Sequence, residues 1–171
     1  MLKVIKKDTY EDLSMSAFEV LNAVITANPH AILGLATGDS PLGLYREMVR
    51  DFKNNGTSYK NVRTFNLDEY VGLAKNHPAS YWTFMQKNLF KYIDILNENV
   101  HVPSGVGNVE ENCRTYENAL KNNVIDLQVL GIGSDGHIGF NEPGGAFDSE
   151  THITELLEQT RKDNARFFDN D

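Results

Sequence analysis

Short apolar runs alternate with amphipathic stretches along this chain, and that alternation most constrains its fold. Strand character is found at residues 2–5, 31–36, 62–67, 99–102 and 125–132, with a sixth strand expected at 152–157. Helices are predicted between these runs, over residues 10–27, 41–53, 78–92 and 109–122. Parallel strands need a crossover between them, so the pattern predicts an α/β fold. We expect a Rossmann-like, three-layer arrangement with a parallel central sheet and helices on both faces.

Length and charge restrict the classes of protein to which the chain can belong. Its 171 residues fit one domain, and 40% of them are apolar, enough for a core without disulfides. The single Cys113 and the lack of an export signal or a run of ~18 apolar residues predict a cytoplasmic protein without a membrane partner. The net charge of −8 argues against nucleic acid, where phosphate neutralisation supplies much of the affinity. An anionic ligand must therefore be bound by a local group of donors.

A loop of small residues follows the second apolar run and leads into a helix. It contains Thr37, Gly38, Asp39 and Ser40. Backbone N–H groups in such a loop, together with the positive end of the helix, suit a phosphate, and the hydroxyls of Thr37 and Ser40 add donors. The alternative is an ordinary turn in which Ser40 is the N-cap residue and Pro41 begins the helix.

Two acidic residues, Asp68 and Glu69, stand where the third apolar run ends. A carboxylate shielded from water there can have a raised pKa and transfer protons near neutral pH. Alternatively, Asp68 only caps a turn.

The fifth apolar run ends in the glycine-rich segment GIGSDGHIGFNEPGG, which contains Asp135, His137 and Glu142. It satisfies G-x-G-x-x-G, but further glycines and Pro143 prevent the helix that a dinucleotide site requires. A histidine with neighbouring carboxylates is typical of a general acid/base group. Two alternatives remain: a metal site formed by the same three residues, and a structural loop.

Four ordered motifs are recognisable together: LATGDSPLGLY, FNLDEYVGL with HPASYWTFM, GIGSDGHIGFNEPG, and NARFFDND. The chain closely resembles the glucosamine-6-phosphate deaminase family, also called glucosamine-6-phosphate isomerases, over essentially its whole length. The resemblance implies an α/β fold and conversion of glucosamine 6-phosphate and water to fructose 6-phosphate and ammonia. It implies no redox cofactor and no catalytic metal.

The resemblance also implies a role for each site residue. His137 is the base that helps to open the pyranose ring, with Asp135 and Glu142 as its carboxylate partners. Asp68 transfers a proton between C2 and C1 of the open sugar. The residues implied to bind phosphate are Thr37, Gly38, Asp39, Ser40 and Arg166, the last through a bidentate guanidinium.

Three departures from the family pattern lead to further expectations. Asp39 replaces the usual Gly or Ser, and its carboxylate would repel a phosphate unless it points away. Residues 149–154 lack the basic groups of members that are activated by N-acetylglucosamine 6-phosphate, so we expect a monomer or small homo-oligomer rather than an allosteric hexamer. Family members continue beyond RFFDND, and nothing after the apolar pair Phe167 and Phe168 covers it. We therefore expect residues 1–171 to form a single domain that lacks its C-terminal part.

Two other functions are compatible with these motifs. A 6-phosphogluconolactonase-like hydrolase shares the phosphate loop and the D-G-H turn, but that family typically has Asp-Glu-Arg where this chain has Asp68, Glu69 and Tyr70. A non-catalytic sugar-phosphate-binding fragment is the third possibility.

Overall fold

The computed structural model describes residues 2–133, 136–165 and 168 of the chain. Five α-helices and four strands alternate along this part of the chain, with short 3₁₀ turns at Phe90–Tyr92 and Asn97–Asn99. The helices are α1 (Tyr10–Ala27), α2 (Leu42–Asn55), α3 (Tyr81–Asn88), α4 (Val109–Lys121) and α5 (Glu158–Asn164). The strands are β1 (Ile32–Leu35), β2 (Arg63–Asn66), β3 (Val100–His101) and β4 (Leu127–Gln128).

The four strands form one parallel sheet in the order β3-β2-β1-β4. The chain therefore moves outward from β1 through β2 to β3 and then crosses back to place β4 on the other side of β1. Asp126 fastens this last strand to β1: its carboxylate accepts the N–H of Ile32 at 2.8 Å, and its own N–H donates to the Ile32 carbonyl at 2.8 Å. The strand order reverses at β1, where open α/β sheets bind their ligands.

Helices cover both faces of the sheet. On one face, Leu33 and Leu35 of β1 belong to a core cluster that includes Leu21 of α1, Met48 of α2 and Met85 of α3, all nearly or completely buried. On the other face, α4 packs against β2, where the ring centroids of Tyr116 and Phe65 lie 6.0 Å apart. The predicted α/β fold with a parallel central sheet is thus confirmed.

The two outermost predicted strands are wrong. Residues 2–5 form no strand, and Leu2 and Val4 are 88% and 79% exposed. Residues 152–157 form no strand either, and they lead into α5. Both segments have suitable apolar residues, but a strand needs a neighbouring strand to pair with, and neither segment pairs with one among the described residues.

Most predicted helices are confirmed to within two residues, and α1 is confirmed at both ends. The exception is the helix predicted over residues 78–92, which starts three residues late and ends at Asn88. Ser80 caps α3 by accepting the N–H of Thr83 at 3.1 Å, so Pro78 lies before the helix and not in its first turn. The extended φ of Leu89, −142°, ends α3 before the following 3₁₀ turn. None of the helices in the described part of the chain is long and apolar enough to cross a membrane.

Helices α1 and α2 approach each other most closely at Gly43. A Cβ atom on Gly43 would lie 1.9 Å from Ser14 Oγ and 2.7 Å from Ser14 Cβ, both of which belong to α1. Only glycine leaves room for this contact, which determines where the second helix begins relative to the first.

We predict that Gly43→Ala lowers the free energy of unfolding by about 1–3 kcal/mol, because α1 and α2 must move apart to admit the methyl group. Chemical denaturation measures the change. Gly131→Ala is the matched control, since a Cβ there meets nothing within 4 Å and should leave stability nearly unchanged. Equal effects of the two substitutions would contradict the close approach.

Candidate active site

A cavity of about 260 Å³ opens beyond the carboxyl ends of β1, β2 and β4. It brings together the loop after β1, the acidic segment after β2 and the glycine-rich turn after β4. The residues around it are Ala36, Thr37, Gly38, Ser40, Leu67, Asp68, Tyr81, Gly131, Ile132, Gly133, His137, Gly139, Phe140 and Asn164. Segments that are about thirty to one hundred residues apart in the chain therefore meet where the strand order reverses.

The loop after β1 contributes Thr37, Gly38 and Ser40 to the cavity wall. Asp39 is exposed and does not line the cavity, which is the arrangement needed if its carboxylate is not to repel an anion. The N-cap residue of α2 is Pro41, which has no side-chain capping bond, so the alternative in which Ser40 is the N-cap residue is wrong. The hydroxyl of Ser40 is therefore not used to cap the helix.

Asp68 is half-buried in the cavity wall. Burial raises the pKa of its carboxyl from 3.8 to about 7, the neighbouring charge of Glu69 adds to the rise, and the charge of His137 opposes it. The raised pKa expected for this strand-end carboxylate is confirmed. A group with this pKa can both accept and donate a proton at neutral pH, as a general acid/base must.

Glu69 binds the start of α3. Its carboxylate accepts the N–H of Tyr81 at 2.9 Å and of Trp82 at 3.3 Å, as well as the N–H of Tyr70 at 2.9 Å. A carboxylate stabilises the positive end of a helix, so the negative charge of Glu69 is held in place next to Asp68. The carboxylate that binds backbone N–H groups at the start of α3 is therefore that of Glu69, and not that of Asp68.

His137 is held by the glycine-rich turn. The turn closes through a bond of 2.8 Å from the Gly133 N–H to the His137 carbonyl. The imidazole packs directly over Gly133, where a Cβ would lie 2.3 Å from His137 Cε1. Only glycine permits this approach, and the ring in consequence lines the same cavity as Asp68.

Glu142 follows the turn and contacts a different element. Its Oε1 accepts the N–H of Leu157 at 3.0 Å, at the start of α5, while its Oε2 is buried and has no hydrogen-bond partner among the described residues. Its partnership with His137 stays a prediction. Asp135 and Arg166 lie outside the described residues, so their roles are also still predictions.

An aromatic group at the cavity rim was missed by the sequence analysis. The Tyr81 hydroxyl donates to the Tyr70 hydroxyl at 3.3 Å and also hydrogen-bonds the side chain of Thr37. Burial, followed by the charge of Asp68, raises the pKa of Tyr81 well above its ordinary value, so its hydroxyl stays protonated. Phe140 lies 5.0 Å from the Tyr70 ring, and Phe168, which is 41% exposed, lies 4.9 Å from it. Phe168 is therefore partly covered, and no spacing in the sequence indicates this cluster.

Two other cavities, of about 460 and 430 Å³, are larger than this one. The first lies between α3, β3 and α4 and contains neither Asp68 nor His137. The second reaches Asp68 from the α4 side but contains no residue of the loop after β1. We assign the site to the smaller cavity because Asp68, His137 and the loop meet only there among these three. No group of three or more His, Cys, Asp or Glu residues in the part of the chain that the structure describes could hold a metal ion.

The fold is a parallel α/β sheet whose point of reversal brings a small-residue loop, Asp68 and His137 to one cavity. A family model described as "Glucosamine-6-phosphate isomerases/6-phosphogluconolactonase" matches residues 6–141. The chain belongs to this family.

The family's description names two activities, and relatives named as deaminases are more similar to this chain than a relative named as a lactonase. A glucosamine-6-phosphate deaminase from Geobacillus sp. (strain WCH70) is 48% identical over 169 residues, which cover 98% of this chain and 67% of that protein. A solved monomeric glucosamine-6-phosphate deaminase superposes with a TM-score of 0.96 at 43% identity, covering 99% of this chain and 71% of that one. A 6-phosphogluconolactonase from Leishmania guyanensis has a TM-score of 0.70 at 22% identity, covering 84% and 65%, and shares the fold alone.

We predict that Asp68→Asn stabilises the protein increasingly as the pH rises. The pKa of Asp68 is higher in the folded than in the unfolded state, so its stabilising contribution is complete below about pH 4 and is lost as the pH rises through about 7. Asparagine has no carboxyl to ionise, so the variant does not lose this stability as the pH rises. The variant should match the parent near pH 4 and exceed its free energy of unfolding by about 1–3 kcal/mol at pH 8, as measured by urea denaturation.

Asp148→Asn, at an exposed position outside the cavity, is the control and should leave the pH dependence unchanged. A difference between Asp68→Asn and the parent that stays constant from pH 4 to pH 8 would mean that Asp68 has an ordinary pKa.

Proposed function

We propose that this chain carries the active site of a glucosamine-6-phosphate deaminase, which converts D-glucosamine 6-phosphate and water to D-fructose 6-phosphate and ammonia. The observation that carries the proposal is the position of Asp68, a carboxyl with a pKa of about 7, in the same cavity as His137 and the loop after β1. The high identity to proteins named as deaminases supports this assignment over the lactonase, whose solved members share only the fold.

Substrate binding starts at the phosphate. The loop at Thr37, Gly38 and Ser40 offers hydroxyls and backbone N–H groups near the N-terminus of a 14-residue helix, which suits a phosphate dianion. These fixed donors allow a chain of net charge −8 to bind an anion. Arg166 adds a guanidinium in this proposal, on the strength of the family resemblance.

The reaction then proceeds in three stages. His137 takes the proton of the C1 hydroxyl as the bond from C1 to the ring oxygen breaks, and the ring oxygen gains a proton, which leaves the open aldehyde. The Asp68 carboxylate removes the proton from C2 as the aldehyde oxygen on C1 gains one, which gives an enolamine. Asp68 then returns its proton to C1 as the nitrogen on C2 loses one. The nitrogen on C2 is then an imine, which water hydrolyses to the ketone with release of ammonia. About half of Asp68 is in the carboxylate form at pH 7, so it can serve in both directions.

Tyr81 belongs in this site as well. Its hydroxyl connects Thr37 of the loop with Tyr70, and it lines the cavity beside Asp68. Because its single proton is donated to Tyr70, in our proposal its neutral oxygen accepts a hydrogen bond from a hydroxyl of the sugar, between the phosphate and the reacting carbons. We further propose that the protein is an amino-sugar catabolic enzyme of the cytoplasm. In this proposal it acts as a monomer, as its solved relative is described.

The proposed reaction is tested by incubating the protein with glucosamine 6-phosphate and measuring released ammonia. Glucose 6-phosphate, which has no amine, is the control and should release none. We expect Asp68→Asn to reduce turnover at least ~10²-fold and to abolish solvent deuterium exchange at C2 while sugar phosphate still binds. Binding without ammonia release in the parent protein would instead support a non-catalytic binder, and persistent exchange in Asp68→Asn would assign the base elsewhere.

A separate prediction concerns His137. If it opens the ring, His137→Gln should slow turnover of the closed sugar much more than that of an open-chain analogue, because the analogue needs no ring opening. Steady-state rates on both compounds provide the comparison. Equal losses on both would exclude this role.

A further inference from the structure

Tyr10, the first residue of α1, contacts the loop after β1 although it lies about thirty residues before it. Its hydroxyl donates its single proton in a shared bond to the carbonyl oxygens of Asp39 and Ser40, each at 3.0 Å, and its oxygen accepts the N–H of Gly43 at 2.7 Å. One hydroxyl therefore binds three backbone groups that extend from the loop into the first turn of α2. Tyr10 itself does not line the cavity, so it makes these contacts from outside.

These contacts replace a cap that α2 lacks. Its N-cap residue, Pro41, makes no side-chain capping bond, and the early N–H of Gly43 finds its acceptor in Tyr10 instead. A second anchor lies at the beginning of the same loop, where the hydroxyl of the buried Tyr45 donates to the Ala36 carbonyl. The loop is thus fastened to the helical layer at both ends.

The hydrogen bonds of Tyr10 also affect where the loop N–H groups point. In a trans peptide the C=O and N–H of one unit point in opposite directions. The Asp39 carbonyl is directed to the Tyr10 hydroxyl and to the N–H of Leu42, which lies 3.2 Å away, so the N–H of Ser40 in the same peptide unit is directed the other way. Ser40 lines the cavity and Tyr10 does not, which is consistent with a Ser40 N–H that faces an anion bound by the loop.

We propose that Tyr10 is a positioning residue for the phosphate loop: its hydroxyl holds the Asp39 and Ser40 carbonyls so that the N–H of Ser40 faces the phosphate of the substrate. This inference rests on the proposed function for the identity of the anion. Tyr10 does not touch the reacting atoms, so it acts on binding and leaves the chemical steps to Asp68 and His137.

Tyr10→Phe tests this inference because it removes the hydroxyl and keeps the ring. The ring is 38% exposed and contacts the Arg46 guanidinium at 5.7 Å, a contact that phenylalanine preserves. Loss of the anchoring bonds should raise KM for glucosamine 6-phosphate about fivefold to tenfold and leave kcat within about twofold. The dissociation constant for inorganic phosphate, measured by isothermal titration calorimetry, should rise by the same factor.

Tyr92→Phe is the matched control. Tyr92 is also an exposed tyrosine with a cation over its ring, Lys53 at 5.6 Å, but it lies away from the loop. This substitution should change neither KM nor phosphate affinity. Tyr10→Ala should weaken phosphate binding about as much as Tyr10→Phe, because the hydroxyl is the group that matters.

The outcomes separate the inference from the proposed function. If the parent protein releases no ammonia but binds phosphate more tightly than Tyr10→Phe, the proposed reaction fails and the positioning role stands. A fall in kcat with unchanged KM and unchanged phosphate affinity would overturn the positioning role. So would equal phosphate affinities of the parent and Tyr10→Phe.

Discussion

The reversal of strand order at β1 is the constraint on which the site depends. The chain runs outward from β1 to β3 and then returns to pair β4 with the opposite side of β1, so the segments that leave β1 and β4 diverge. The carboxylate and N–H of Asp126, bonded to both backbone groups of Ile32, fix where β4 begins against β1. The distance between the loop after β1 and the glycine-rich turn therefore follows from how β4 pairs with β1.

The charges around the cavity work against one another in a way that suits proton transfer. Asp68 is partly buried and lies beside the charge of Glu69. Burial and this neighbouring charge both favour its neutral form. Glu69 cannot relieve the second effect by moving away, because three backbone N–H groups, two of them at the start of α3, hold its carboxylate. The helix that stabilises Glu69 thereby maintains the field that raises the pKa of its neighbour. The charge of His137 lowers the pKa of Asp68, and the pKa that results is about 7.

Local signals in the sequence were sufficient for some elements and not for others. Helix α1 was predicted at both ends because residues 10–27 are amphipathic, and the structure buries Phe18, Leu21 and Ile25 of that stretch. Residues 2–5 have equally good strand residues, but whether a strand forms depends on a partner that no local pattern reveals. The start of α3 depends on Glu69, which is twelve residues from Tyr81 in the chain and adjacent in the fold. For the same reason the sequence indicated Asp68 and His137 through their motifs but not Tyr81 or Tyr10, whose importance comes only from tertiary contacts.

Cavity size alone favours a different site from the one that the proposed function requires. The two larger cavities have more room, yet neither unites an anion-binding loop with groups able to move a proton. A sugar phosphate needs its charged end held at one place and its C1–C2 region at another, several ångströms away, and this requires two separate polar regions on one wall. The loop after β1 and the pair of Asp68 and His137 satisfy that requirement because they follow different strands. The parallel direction of those strands places all of their carboxyl ends at one edge of the sheet, and only there can residues so distant in the chain act on one small molecule.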